Sequence, residues 1–186
     1  MKGWFKMKLI EKFRDKKLQY RIKKHKHNVR KQYNGNDITI ISNNCLAGVI
    51  YNILGLQFSS PTINLWMKMA EYLEFVSDLK YYMQCEMIEN TQESDNYKFP
   101  VGTLVPFDNT HKSVNIYFNH YQSYEIAKQK WEERKQRIIW DKLYVIYDFN
   151  DKDCDTDLLY EFDKLPFKHK MSLTHYKKVD GLKDYI

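Results

Sequence analysis

Hydrophobic and polar positions fall into alternating blocks along this chain, and the blocks follow two different periods. Residues 37–41 (DITII) form a short β-branched run between polar turns, the pattern of a strand covered on both faces. Ser42, Asn43 and Asn44 turn the chain, and a helix is predicted over 45–54, closed by Gly55, which suits the left-handed turn that ends a helix. Residues 58–64 (FSSPTIN) read as a loop. Leu65, Met69, Tyr72, Leu73, Val76, Leu79 and Tyr82 then recur every three or four positions, which predicts one helix over 65–83. Strands are predicted at 99–105 and 114–119 around a polar turn at Asp108 and Asn109, followed by a helix over 123–137 with Ser123 as its cap. The apolar run 143–149 (LYVIYDF) is the clearest buried strand; a short helix at 155–164 and a strand at 170–174 complete the series. Strands alternating with helices predict an α/β fold, a three-layer α/β/α domain whose sheet is mostly parallel or mixed.

The first 34 residues depart from this pattern. Phe5, Leu9, Phe13 and Tyr20 fall near one helical face, and lysines and arginines occupy the others. Residues 2–31 hold thirteen Lys or Arg against Glu11 and Asp15, so this stretch carries about +11 of a chain whose total is +6, and the remainder is mildly acidic. The organisation expected is a basic N-terminal helical arm, residues 1–34, ahead of an α/β domain, residues 35–186. Such an arm seeks an anionic surface. Trp4 and Phe5 suit a lipid interface, and no helix-turn-helix, zinc-finger or RNA-binding motif argues for nucleic acid. The same helix could equally rest its apolar side on the domain or on a neighbouring subunit; the oligomeric state is not written in the sequence.

A chain of 186 residues that is 43% hydrophobic and 16% aromatic has the material for one core and too little length for two ordinary domains. Cys45, Cys85 and Cys154 are odd in number, widely spaced and in no CxxC pair, which argues against a disulfide framework or a structural zinc and for a reducing compartment. No stretch of eighteen apolar residues occurs and the start of the chain lacks the apolar block of a signal peptide. A cytoplasmic protein, peripheral at the inner membrane face, is the expectation.

Three polar turns could carry chemistry. Ser42, Asn43, Asn44 and Cys45 join the end of a strand to the start of a helix, where ligands of α/β sheets sit and free helix amides attract phosphate. Plain capping explains the same residues, and Cys45 as a nucleophile lacks an assignable base. Ser60, Thr62 and Asn64 offer hydroxyls and an amide before the next helix. His120 and Tyr121 end a strand; His120 is the best acid–base candidate because its pKa lies near neutrality, and Arg134 with Arg137 on the following helix could clamp a phosphate. No cofactor is named by a motif, since GxGxxG and the P-loop pattern are both absent. Asp148, Asp151, Asp153, Asp155 and Asp157 invite a divalent metal, yet the run lacks the Gly and Glu of an EF-hand loop and reads better as a solvated turn, so no metal ligand is assigned.

The segments ISNNCLAGVIYNILGLQFSSPTINLWM (41–67), FPVGTL (99–104), IYFNHYQSYEIAKQKWEERKQRI (116–138) and LPFKHK (165–170) together resemble a bacterial family known as domain of unknown function 1919. Its members are often labelled exopolysaccharide or capsule biosynthesis proteins. The likeness runs from about Ile38 to Thr174 and implies an α/β/α layered domain. It marks Ser42, Asn43, Asn44, Cys45, Gly48, Ser60, Pro61, Thr62, Asn64, His120, Tyr121, Trp131, Arg134 and Arg137 as family-like positions; the stretch Arg137-Ile138-Ile139-Trp140 departs from the pattern. The label implies a pathway and no mechanism.

Two functions are compatible with these residues. One is a transferase using a sugar nucleotide or a phosphorylated or lipid-linked sugar, with residues 42–45 cradling phosphate, Asn64 orienting sugar hydroxyls, His120 as base, and Arg134 and Arg137 neutralising the leaving phosphate. The other is a non-catalytic glycan- or nucleotide-binding scaffold module at the membrane surface, for which the aromatic content would supply stacking surfaces.

Overall fold

The computed structural model describes residues 2–33, 35, 37–149 and 155–175, with side chains from Arg14 onward. Strand β1 (Thr39–Ser42) is buried throughout and pairs in parallel with β5 (Leu143–Phe149), which pairs in parallel with β6 (His169–Thr174). Strand β5 is therefore central, which is why its sequence is a continuous apolar run without the alternation of a half-exposed strand. A second sheet is an antiparallel meander of β2 (Glu86–Glu89), β3 (Val101–Val105) and β4 (Val114–Tyr117). The α/β expectation holds, with the parallel and antiparallel pairings segregated into two three-stranded sheets. One core serves both: Ile41, Val145 and Tyr147 of the parallel sheet share a buried cluster with Leu104 and Ile116 of the meander, with Tyr72 and Phe75 of α3 (Met69–Ser77), and with Trp131 of α6 (Tyr124–Lys135).

Helix α2 (Leu46–Leu54) follows β1 and buries Ala47, Gly48 and Tyr51 over Ile40, Ile63 and Ile146. Its end is as expected: Gly55 adopts φ 75° and donates its N–H to Tyr51 O at 2.8 Å. The predicted helix over 65–83 is instead three pieces. Trp66 exchanges both backbone hydrogen bonds with Tyr117 at 2.9 Å, so Leu65–Met67 are drawn out as an extra rung on β4. Helix α3 then stops at Ser77, and Asp78 starts α4 (Leu79–Tyr82) by accepting from Tyr81 N at 3.1 Å. The three- and four-residue spacing survives the break because both helices face the same core. Strand β2 and helix α5 (Thr91–Tyr97) were not foreseen; Met87 is the lone buried residue of the first and the second buries none. Helix α7 (Asp157–Lys164) precedes β6.

The basic arm is helix α1 (Lys2–Gln32), and from Arg14 onward it is exposed except at Lys26 and Val29. It meets the domain at the far end of α2. The Arg30 guanidinium donates to Ile53 O (3.0 Å, Nε) and to Asn52 O (2.9 Å, Nη2), and the Lys26 ammonium donates to the Asn52 side chain. These carbonyls are among those that α2 leaves unpaired at its last turn, and a cation there also opposes the helix dipole. Gly55 makes the approach feasible, since a Cβ at that position would lie 2.8 Å from Arg30 Nε. No helix among the described residues is long and apolar enough to cross a membrane.

Candidate functional site

All three strands of the parallel sheet end on one side, at Ser42, Phe149 and Thr174. The turn after β1 is organised by its own side chains. Ser42 Oγ donates to Asn44 O (2.7 Å) and accepts from Ala47 N (3.1 Å), while Asn44 Oδ1 accepts from Leu46 N (3.0 Å), so both residues cap the first turn of α2. Asn43 has a different task. Its carboxamide donates to Asp148 O (2.9 Å) and accepts from Asp148 N (2.8 Å), imitating a strand and adding one more rung between β1 and β5.

That clamp fixes the backbone of Asp148, a buried acid near the end of the central strand. Its carboxylate accepts from Asn44 Nδ2 at 2.6 Å and faces His175 Nε2 at 2.6 Å. The carboxylate is 11% exposed and the imidazole 49% exposed, which is the arrangement of a sheltered anion orienting an accessible ring. Asp148 entered the sequence reading only as part of an acidic run, and His175 did not enter it at all. A charged residue inside the apolar string LYVIYDF was a usable signal, because a buried Asp needs a partner. Of the rest of that run, Asp155 accepts from Asp157 N (2.9 Å) at the start of α7, and Asp151 and Asp153 lie outside the described residues. Among the described residues no three His, Cys, Asp or Glu side chains are grouped so as to share a cation.

Ser60 and Thr62 are buried against the edge of β1. Thr62 Oγ1 accepts from Ser42 N (3.1 Å) and shares a hydrogen bond with Ser60 Oγ (3.0 Å), which also accepts from Thr62 N. These hydroxyls close an otherwise open strand edge. The back of the same loop is held by α6. Arg134 Nη1 donates to the Tyr121 hydroxyl (2.6 Å) and Ile63 O (3.4 Å), Tyr121 donates to Ile63 O (3.0 Å), and the guanidinium lies 5.5 Å from the Phe58 ring centre. Arg137 reaches Phe58 O (3.4 Å) and Glu133 (4.0 Å). Tyr121, Arg134 and Arg137 thus converge on one loop and fasten it. His120 is exposed in the turn that follows β4.

Between α1 and α2 lies a cleft of about 950 Å³. It begins at the sheet edge with Cys45 and Asn64 and runs along α2 past Gly48, Val49, Asn52 and Ile53; Arg21, His25 and Lys26 of α1 form the opposite wall with Leu18 and Ile22. Asn64 is held at φ 60°, a left-handed backbone that Asn tolerates better than most residues, and its carboxamide lies beside Gly48. Of the residues singled out from sequence, the cleft gathers Cys45, Gly48 and Asn64; Ser42, Asn43 and Asn44 form the turn that leads into Cys45, and they do not line it, nor do Ser60, Thr62, His120, Tyr121, Arg134 and Arg137. Burial pushes the Cys45 thiol up from its ordinary value, so at neutral pH it is a thiol and not a thiolate, and its contact is Leu65 O at 3.8 Å. The adjacent residues Asn44 and Cys45 join the two halves of the site, one touching the Asp148–His175 pair and the other facing the cleft.

Comparison with known proteins gives two findings. The family model described as domain of unknown function (DUF1919) matches residues 15–185, taking in the second half of α1 together with the α/β part. An uncharacterised protein of Haemophilus influenzae is 32% identical over 139 residues, which is 74% of this chain and 62% of that protein; the chain therefore spans less than two thirds of this relative's length.

Proposed function

Given that this chain belongs to the DUF1919 family, whose description assigns no reaction, we propose that it is a transferase acting on a phosphate-bearing sugar in the assembly of a cell-surface polysaccharide. One observation carries the reading. A sheltered carboxylate–imidazole pair stands at the carboxyl edge of a parallel sheet and is linked through Asn44 to its neighbour Cys45, which lines a cleft whose α1 wall carries Arg21 and Lys26. In this reading Arg21 and Lys26 balance the charge of the phosphate, His25 donates a ring N–H to it, and Asn64 and Asn52 offer carboxamides to sugar hydroxyls. Asp148 orients His175, and His175 takes the proton of the acceptor hydroxyl. The acceptor oxygen then bonds to the anomeric carbon as the phosphate departs with the electron pair of the broken C–O bond. The base role moves from His120 to His175 because His175 has a carboxylate to orient it. The pathway rests on the labels of the family that the sequence resembles.

The alternative, a non-catalytic module at an anionic surface, is favoured by the outer side of α1, where Tyr20 is 68% exposed among exposed lysines. The two readings part on His175, whose replacement matters only to an enzyme. Substrate binding tests the shared premise. Calorimetric titration with UDP-glucose and with inorganic pyrophosphate should show binding by the wild-type protein, weakened about tenfold or more in Arg21→Glu, since reversing one charge near a phosphate is worth about 1.4 kcal/mol or more. Equal affinity in the two proteins would remove the cation wall from the account.

A further inference from the structure

The cleft is not uniformly polar. On α1, Leu18 and Ile22 form one stripe and Arg21 and His25 another, each pair four residues apart and both facing the cleft. Helix α2 repeats the arrangement, with Val49 and Ile53 in one stripe and Cys45, Gly48 and Asn52 in the other. Leu18 is 53% exposed, Val49 52% and Ile22 40%, so apolar side chains from two helices look toward each other across space that neither fills. The reason lies in where the helices touch. Lys26 and Arg30 bind the end of α2, and the preceding turns of α1, at Leu18, Arg21 and Ile22, line the open part of the cleft.

A free sugar nucleotide has no use for the apolar stripes, because its sugar, ribose and base all present hydrogen-bonding groups. Resting on the reading of this cleft as a phosphate site, we propose that its ligand is amphiphilic: a phosphate or diphosphate carried on a single hydrocarbon chain, with the charged group against Arg21, His25 and Lys26 and the first carbons of the chain between Leu18, Ile22, Val49 and Ile53. The apolar stripes, Leu18 to Ile22 and Val49 to Ile53, are each about 6 Å long at 1.5 Å per residue, enough to hold the first few carbons of the chain. The charge of the headgroup and the apolar stripes each find a complement in the same cleft.

The test is a set of titrations of the full chain with farnesyl diphosphate, inorganic pyrophosphate, farnesol and UDP-glucose, below the micelle concentration of the lipids. The expected result is that farnesyl diphosphate binds about tenfold or more tightly than pyrophosphate, UDP-glucose or farnesol, as burial of a few CH₂ groups requires. The double variant Leu18→Ser/Val49→Ser, altered at two sites more than half exposed, should keep pyrophosphate affinity and lose the advantage of the farnesyl chain. If pyrophosphate and UDP-glucose match farnesyl diphosphate, the lipid assignment is overturned and the phosphate site stands. If no phosphate compound binds, both fall. Binding to phosphatidylglycerol vesicles that farnesyl diphosphate does not compete with, and that the double variant loses, would assign the stripes to a bilayer surface and also overturn the proposal.

Discussion

Replacing Arg134 with Ala is expected to lower the free energy of unfolding by about 2–3 kcal/mol, measured by urea denaturation, the range for cutting a buried charged hydrogen-bond network. Arg134 is 9% exposed, and its guanidinium has three attachments: the Tyr121 hydroxyl, Ile63 O and the face of Phe58. Two of these belong to the 58–64 loop, so the substitution unfastens the segment that closes the edge of β1 and positions Asn64. Arg134→Lys should recover only part of the loss, because an ammonium cannot spread over the ring and reach two acceptors at once. A loss below about 0.5 kcal/mol for the Ala variant would mean that the loop is held without Arg134, through Ser60 and Thr62 on β1 and through Tyr121 and Arg137 behind it.

Exchange of His175 for Ala is expected to cut turnover about 10²-fold or more while leaving ligand affinity close to wild type, which is the signature of a lost acid or base. The measurement is release of the phosphate-bearing leaving group from whichever sugar donor binds tightest. Asp148→Asn should follow the same direction, because it retains a polar contact for Asn44 but removes the carboxylate that orients the imidazole. Folding should tolerate the His175 change, since the ring is half exposed, so a loss of turnover with an unchanged urea midpoint isolates the chemical role. Unaltered turnover in His175→Ala would return the protein to the reading of a binding module.

The difference between what the sequence reveals and what it hides follows chain separation. Strand β5, helix α2 and the Gly55 terminus are legible because their signals are local: a continuous apolar run, a helical period and a residue that accepts φ 75°. The turn of residues 42–45 is legible for the same reason. Its partners are not, since Asn43 and Asn44 meet Asp148 across more than one hundred residues and no local pattern records that pairing. Helical spacing predicts Arg134 and Arg137 near one another, and the structure puts the first on α6 and the second in the turn after it, but only the packing shows that they face the back of a loop. The division of the strands into two sheets is hidden likewise, because β3 and β4 bury residues much as a parallel strand would. Helix α5 left no trace because it buries nothing. For α1 the charge was evident from composition, whereas its seat on α2 depends on two side chains, Lys26 and Arg30, at its far end.

The central claim is that phosphate-bearing ligands enter between α1 and α2 at the carboxyl edge of the parallel sheet. Its most direct test is an amide NMR titration of the ¹⁵N-labelled protein with inorganic pyrophosphate. The account predicts the largest shifts at the backbone amides of Cys45, Gly48, Asn52 and Asn64, with smaller ones at Arg21 and Lys26. Shifts confined to the outer lysines of α1, or to the opposite end of the sheet around Leu79, Trp140 and His169, would contradict it.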